Sequence, residues 1–374
     1  MNFNHSDERT MLADSLNRFL RENYTFEQRT ISSGGSQGFD PEIWLRMAEI
    51  GTVSALFGEE AGGFGGQGFD ISVVFESLGG SLVVEPFLGT LMVGWALAKA
   101  GGPSHRGLLE SLVKGELIGA WAHEEPHQPS TVEHLATRAE LQADGSWRLD
   151  GHKAVVQHAG AADLLLVSAL TPEGLGLFLV PCSSGGLSMV PYPLIDGGHG
   201  AELVLDGVVV PQSAPLAGPD VAESVLEQAQ GVGILALCAE AVGAMDAAKR
   251  QTLEYLGTRR QFGVPIGSFQ ALQHRMADLL IEIEQTRSAV INAAATLHGP
   301  RLKRERALSA AKYTVGRVGA RVAEECIQLH GGMGMTRELP LAHFAKRLVM
   351  IDHQLGDEDF HLQRFAALSE DAVE

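Results

Sequence analysis

Residues 255–279 read YLGTRRQFGVPIGSFQALQHRMADL. The helical pattern that reaches Thr258 starts near Val221. Gly263 and Pro265 stop it, because proline removes a backbone donor and glycine favours a turn. Gly267 lets the chain turn into a second helix, marked by Met276, Leu279, Leu280, Ile283 and Ile291 at helical spacings. The corner concentrates Arg259, Arg260, Gln261 and Gln270. Guanidinium groups there suit a pyrophosphate, since each presents a planar fork of donors. Phe262 and Phe269 suit the face of a planar ring. The same residues also suit a plain helix–helix corner with surface arginines and two core phenylalanines.

Downstream, Leu308, Ala311, Val315, Val318, Val322 and Ile327 mark a third helix, which runs into QLHGGMGMTRE at 328–338. Gly331 and Gly332 permit a ligand to approach backbone amides, and Gln328 can donate and accept. A helix end followed by a loop reads equally well. A fourth helical element begins near Leu341. Long helices with broad apolar faces predict a bundle over 213–374.

Upstream, the period changes. Between 118 and 212 the apolar runs shorten, and Trp147, Leu149 and Val155 bring in a period of two. Strands are expected over 162–170, 175–180 and 203–210. Asp-Gly pairs at 144–145, 150–151, 196–197 and 206–207 predict tight turns, because glycine accepts positive φ. A small barrel or sandwich follows. Residues 1–117 return to helical spacing, with Met11, Leu12, Leu16, Phe19 and Leu20 on one stripe and Ser6 as its cap. ISSGGSQGFD at 31–40 and EAGGFGGQGF at 60–69 read as loops, and the second is also a candidate to lie near a ligand.

A formal net charge of −18 over 374 residues argues against nucleic acid. Cys182, Cys238 and Cys326 form no CxxC pair, as in a reducing compartment, so the cytoplasm is expected. The N-terminal segment lacks a secretory pattern, and no uninterrupted run of 18 apolar residues predicts a membrane span. There is no Walker loop, and the glycine-rich stretch at 60–69 does not sit between a clear strand and helix as a dinucleotide loop would. The histidines do not cluster with cysteines at metal-ligand spacings, and no metal site is expected. His353 and His361, near Asp357, Glu358 and Asp359, read as mixed charges on an acidic helix surface.

Together the two glycine-bearing stretches resemble the acyl-CoA dehydrogenases. Residues 255–279 are similar to the family's most recognisable C-terminal motif, and QLHGGMGMTRELP at 328–340 to its second. GLGLFLVP at 174–181, LDGVVVP at 205–211 and, less closely, residues 150–167 also fit. The resemblance implies an α+β fold with an N-terminal helical domain (1–117), a middle β-barrel or sandwich domain (118–212) and a C-terminal four-helix bundle (213–374). It implies FAD between the last two domains, extended towards a neighbouring subunit. Arg259 would meet the pyrophosphate, with Phe262 and Gln270 at further contact positions. Gln328, Gly331 and Gly332 match the segment that meets the adenine-side pyrophosphate. The implied substrate is an acyl-CoA thioester. A carboxylate takes its α-proton, the β-hydrogen leaves as hydride to the flavin, and an electron-transfer flavoprotein is the implied acceptor.

The sequence departs from the family where the base should stand. Counting through QLHGG puts Leu355 at the usual glutamate, with Gly356 and Asp357 following. The alternative glutamate position, on the long helix, is Gly233, and an arginine common near the substrate is replaced by Ile234. Asp357 is the candidate displaced base, with Glu240 and Glu358 as further carboxylates. In the middle domain, His123-Glu124-Glu125-Pro126 stands for the family's Thr-Glu-Pro. Ala154 to Gln157 replace Trp-Ile-Thr after Lys153, and His158 is a candidate compensating donor. This pattern resembles the partner chains of heteromeric acyl-CoA dehydrogenases, which implies a homologous partner chain and a heterotetramer. The competing readings are a homomer using Asp357, an inactive structural subunit, and an acyl-CoA oxidase.

Overall fold

The computed structural model describes residues 6–126 and 134–370. Six helices come first: α1 (Asp7–Asn23), α2 (Phe26–Gly34), α3 (Pro41–Glu49), α4 (Gly68–Gly80), α5 (Phe87–Ala100) and α6 (Arg106–Val113). Ser6 caps α1 by accepting the Arg9 N–H at 3.4 Å. Asp40 caps α3, and Pro41 supplies its preset first turn. The α1 stripe is broader than its buried face: Leu16 and Leu20 are buried, but Met11 is exposed.

Eight strands follow: β1 (Gly119–Ala122), β2 (Arg138–Leu141), β3 (Trp147–Gln157), β4 (Leu164–Thr171), β5 (Gly174–Pro181), β6 (Leu187–Pro193), β7 (His199–Val210) and β8 (Pro215–Ala217). They make one mixed sheet in the order β6-β7-β3-β2-β4-β5-β8, with β1 parallel to β4. Leu149, Val156, Leu165, Val167, Phe178, Val180, Leu203 and Leu205 form its core. Two of the four Asp-Gly pairs make turns, with Gly145 and Gly197 at positive φ. The other two lie inside β3 and β7. A Cβ on Gly151 would stand 2.5 Å from Thr137 Oγ1, so glycine is there for close approach. Asp150 Oδ1 accepts the Gly207 N–H at 2.7 Å across the ladder.

The C-terminal elements are α7 (Pro219–Thr258), the hairpin strands β9 (Arg260–Gln261) and β10 (Val264–Pro265), then α8 (Gln270–Thr296), α9 (Arg301–His330), α10 (Pro340–Asp352) and α11 (Glu358–Glu370). The fourth helical element is thus two helices. Leu355 at φ +55° and Gly356 at φ +91° break it, since neither conformation continues an α-helix. By length and composition α7 could cross a membrane, but 94% of its most apolar stretch is buried inside the protein.

The chain divides into two compact units. One comprises Met1–Arg29, Gln67–Val83 and Ile234–Glu374, and the other Thr30–Gly66 and Val84–Gly233. Within the first, α4 and α7 cross at backbone contact. A Cβ on Gly79 would lie 2.0 Å from Glu240 O, and one on Gly243 would lie 2.0 Å from Glu76 O. Arg287 of α8 then ties Glu76 of α4 at 3.1 Å and also pairs with Asp246 of α7. Within the second, Gly63, Gly65 and Gly66 pack closely on residues 54–58. A Cβ on Gly65 would lie 2.1 Å from Ala55 O.

Candidate functional site

At the end of α7, the Arg259 N–H donates to Tyr255 O at 2.8 Å, and the chain enters the β9–β10 hairpin. Phe262 and Gly263 form its tip at φ +53° and +84°. Two successive left-handed residues match the right-handed twist of a two-residue hairpin, and only the second is a glycine. Arg260 braces the tip by donating to Gly263 O at 2.9 Å. Phe262 is 92% exposed and meets Phe269 edge-on at 6.2 Å between ring centres. The two phenylalanines are therefore surface groups, not core. A Cβ on Gly267 would come 2.9 Å from Leu256 O, so glycine lets the return strand pass beneath α7.

The second motif lies beside the first. Tyr255 on α7 stacks on His330 at the end of α9, with ring centres 4.4 Å apart and planes 22° apart. His330 Nδ1–H donates to Cys326 O at 2.8 Å. Burial lowers the His330 pKa against the pull of that carbonyl, so the ring is neutral at pH 7. Gly331 then turns at φ +62°, and a Cβ on Gly331 or Gly332 would meet nothing within 4 Å. Sequence gave no sign of the Tyr255–His330 stack, since the two residues are 75 positions apart.

Arg259, Phe262, Gln270, Gln328, Gly331 and Gly332 are all exposed. Among the described residues, no protein group engages the Arg259 guanidinium or the Gln270 and Gln328 amides. Unpaired fork donors, two free amides and open space above paired glycines suit a phosphate-bearing dinucleotide. Replacing Phe262 with asparagine, which tolerates positive φ, should raise the unfolding free energy of the ligand-free chain by roughly 1 kcal/mol. It should also remove a ring from the site. Urea melts and FAD retention, measured together, check this, and a parallel fall in both would contradict it.

Two of the carboxylates near the family's base positions, Asp357 and Glu240, are committed. Asp357 Oδ1 accepts the Phe360 N–H at 2.8 Å and caps α11. Glu240 accepts from Arg347 of α10 at 2.5 and 2.7 Å, as a buried two-point ion pair. Glu358 lies in the first turn of α11. Leu355 is half-buried in the turn before it, and Ile234 is buried on α7. Among the described residues no group of three His, Cys, Asp or Glu side chains could hold a metal ion. His361 donates from Nε2 to Leu355 O.

In the sheet unit, Lys153 is wholly buried and donates to Glu125 at 2.8 Å, His123 O at 3.1 Å and Ser168 Oγ at 3.2 Å. Glu125 also accepts from the Ala136 and Thr137 N–H groups and the Thr137 hydroxyl. Burial alone would raise the Glu125 pKa, but Lys153 and these donors outweigh it and hold the carboxyl at about 2. Burial brings Lys153 down to about 8 against the attraction of Glu125. Both are charged at pH 7. Sequence marked Lys153 only as the start of a missing motif, because a lysine on a strand with partly exposed neighbours carries no local sign of burial. Residues 127–133, which follow Pro126, lie outside the described residues. His158 is in the left-handed region at φ +55°, and its Nε2 is 2.7 Å from Val84 O.

Two family models match the chain: the acyl-CoA dehydrogenase N-terminal domain over residues 6–116, and the acyl-CoA dehydrogenase C-terminal domain over residues 224–367. L-prolyl-[peptidyl-carrier protein] dehydrogenase of Pseudomonas fluorescens is 30% identical, covering 78% of this chain and 80% of that protein. Probable acyl-CoA dehydrogenase YngJ of Bacillus subtilis is 26% identical over 97% of this chain and 98% of its own. Among solved structures, a Tcur3481–Tcur3483 steroid ACAD variant aligns at 30% identity and TM-score 0.89, covering 98% and 99% of the two chains. The ChsE4–ChsE5 complex of Mycobacterium tuberculosis aligns at 26% identity and TM-score 0.90, covering 98% of each. This chain belongs to the acyl-CoA dehydrogenase family.

Proposed function

We propose that the chain binds FAD and serves as one chain of a cytoplasmic heteromeric acyl-CoA dehydrogenase, with a homologous chain supplying the base. The observation that carries this is the pairing of an unengaged Arg259–Gln270–Gln328–Gly331–Gly332 surface with a leucine at position 355. The phosphate-facing donors are kept while the proton acceptor is missing.

FAD, when bound, supplies the acceptor for the β-hydride. Arg259 would hold its pyrophosphate by charge-assisted hydrogen bonds, with Gln270 and Gln328 supplying further donors and acceptors. Phe262 covers a planar ring and excludes water. Gly331 and Gly332 let the cofactor reach backbone amides. Leu355 cannot take the α-proton of the thioester, and the Glu240 carboxylate is held by Arg347. Similarity to the ChsE4–ChsE5 complex and to a steroid ACAD supports a two-chain assembly and a bulky acyl group. Electrons would leave to an electron-transfer flavoprotein.

A second reading keeps Asp357 as the base, because it lies two positions past Leu355. Its carboxylate would then have to combine that role with capping α11. The test is expression alone and with neighbouring family chains, followed by flavin absorbance and acyl-CoA oxidation by each purified assembly. The expected result is FAD-loaded, active protein only with a partner. Robust acyl-CoA dehydrogenation by a fully flavinylated homomer would overturn the partner reading. Loss of that activity in Asp357→Asn, with FAD retained, would establish the displaced base. Peroxide formation with oxygen as direct acceptor would indicate an oxidase.

A further inference from the structure

The turn between α10 and α11 is tied down more thoroughly than a surface turn requires. Lys312 of α9, wholly buried, donates to Asp352 O at 2.9 Å and Gly356 O at 2.6 Å. His361 of α11 donates from Nε2 to Leu355 O at 2.9 Å, which leaves Nδ1 to face Ser309 Oγ at 3.5 Å. Burial holds this imidazole at about 4, so it is neutral at pH 7. Asp352 Oδ1 is buried without a hydrogen-bond partner among the described residues. A Cβ on Gly316 of α9 would be 2.1 Å from it. Asp357 caps α11. Side chains from α9 and α11, together with Asp357 of the turn itself, therefore hold Leu355 and Gly356 in their left-handed conformations.

Beside Asp352 Oδ1, a buried amide in this turn also has no such role. Gln354 is 8% exposed, and neither its amide nitrogen nor its amide oxygen has a protein partner among the described residues. A buried, unpaired amide is costly, and an apolar residue of similar size would carry no such penalty. A rigid frame around an unpaired amide holds it in place for a ligand.

We propose that Gln354 hydrogen-bonds the acyl group of the bound thioester and selects acyl groups that carry a hydroxyl. The amide has both a donor and an acceptor to satisfy, and a hydroxyl supplies one of each at a single atom. A thioester carbonyl would satisfy the NH2 alone. The inference rests on the acyl-CoA reading above, and it concerns Gln354, the neighbour of the position where the family carries its base.

The test uses the FAD-loaded assembly and fluorescence titrations with matched esters: butyryl-CoA against 3-hydroxybutyryl-CoA, octanoyl-CoA against 3-hydroxyoctanoyl-CoA, and CoA alone. The native assembly should bind the hydroxylated member of at least one pair ~10-fold more tightly. Gln354→Leu should erase that preference, keep affinity for the plain ester, and melt at a higher temperature without ligand. Gln354→Met serves if the leucine variant does not fold. Equal binding of both members of every pair by the native assembly, or a preference that survives in the variant, would overturn the inference. Failure of every CoA ester to bind a flavin-loaded assembly would instead sink the acyl-CoA reading, and this inference with it.

Discussion

Arg259→Ala should weaken FAD binding by roughly 10- to 100-fold, the expected loss for charge-assisted hydrogen bonds to a phosphate. The Arg259 guanidinium has no protein partner among the described residues, so removing it breaks no internal contact. Its backbone N–H stays with Tyr255 O, so the end of α7 should survive. Arg259→Lys should recover only part of the loss, because an ammonium keeps the charge but not the fork. Flavin fluorescence titration reads the affinity, and circular dichroism confirms the helices. Unchanged affinity in the alanine variant would remove Arg259 from the site. Arg260 is the contrast: it supports Gly263 O, so its loss should loosen the hairpin first.

Lys153→Met should destabilise the protein by about 3–5 kcal/mol, because it strands the buried Glu125 carboxylate without its counter-charge. Lys153→Met combined with Glu125→Leu should regain most of that loss, since an apolar pair leaves no charge uncompensated. Urea denaturation of the single and double variants decides this, and a double variant no more stable than Lys153→Met would contradict it. In the native protein the pair sets an acid limit. The Glu125 pKa is depressed to about 2 in the folded state, against 4.5 for a free glutamate. Its contribution is therefore complete above about pH 4.5 and disappears as pH falls towards 2. In Lys153→Met the Glu125 pKa should rise, so the destabilisation should shrink as the medium is acidified.

The helical and strand regions were legible because their periods differ. The 3.6-residue spacing of Met276, Leu279 and Ile283 and the short apolar runs around Leu165 and Leu177 each name an element type directly. The break between α10 and α11 was not legible. Leu355 has no intrinsic preference for positive φ and adopts it only because Lys312 and His361 hold its neighbourhood from other parts of the chain. The Asp-Gly pairs show the same limit. Asp144-Gly145 makes the turn its residues favour, while Asp150-Gly151 sits inside a strand because Thr137 crowds that point. At the candidate site, the motif residues could be named one by one, since arginine and glycine carry their chemistry with them. The commitment of Glu240 to Arg347, 107 positions away, could not be read from local spacing.

The crossing of α4 and α7 bears on how this sequence can diverge. Gly79 and Gly243 each place a bare Cα against a carbonyl of the other helix. Their apolar neighbours can exchange among residues of similar volume as the lineage drifts, because a core tolerates compensated swaps. A carbonyl in a helix cannot step aside for even one methyl group. Descendants of this chain that keep the fold should therefore keep these two glycines long after Gly257, which faces open space, has become free to vary on steric grounds.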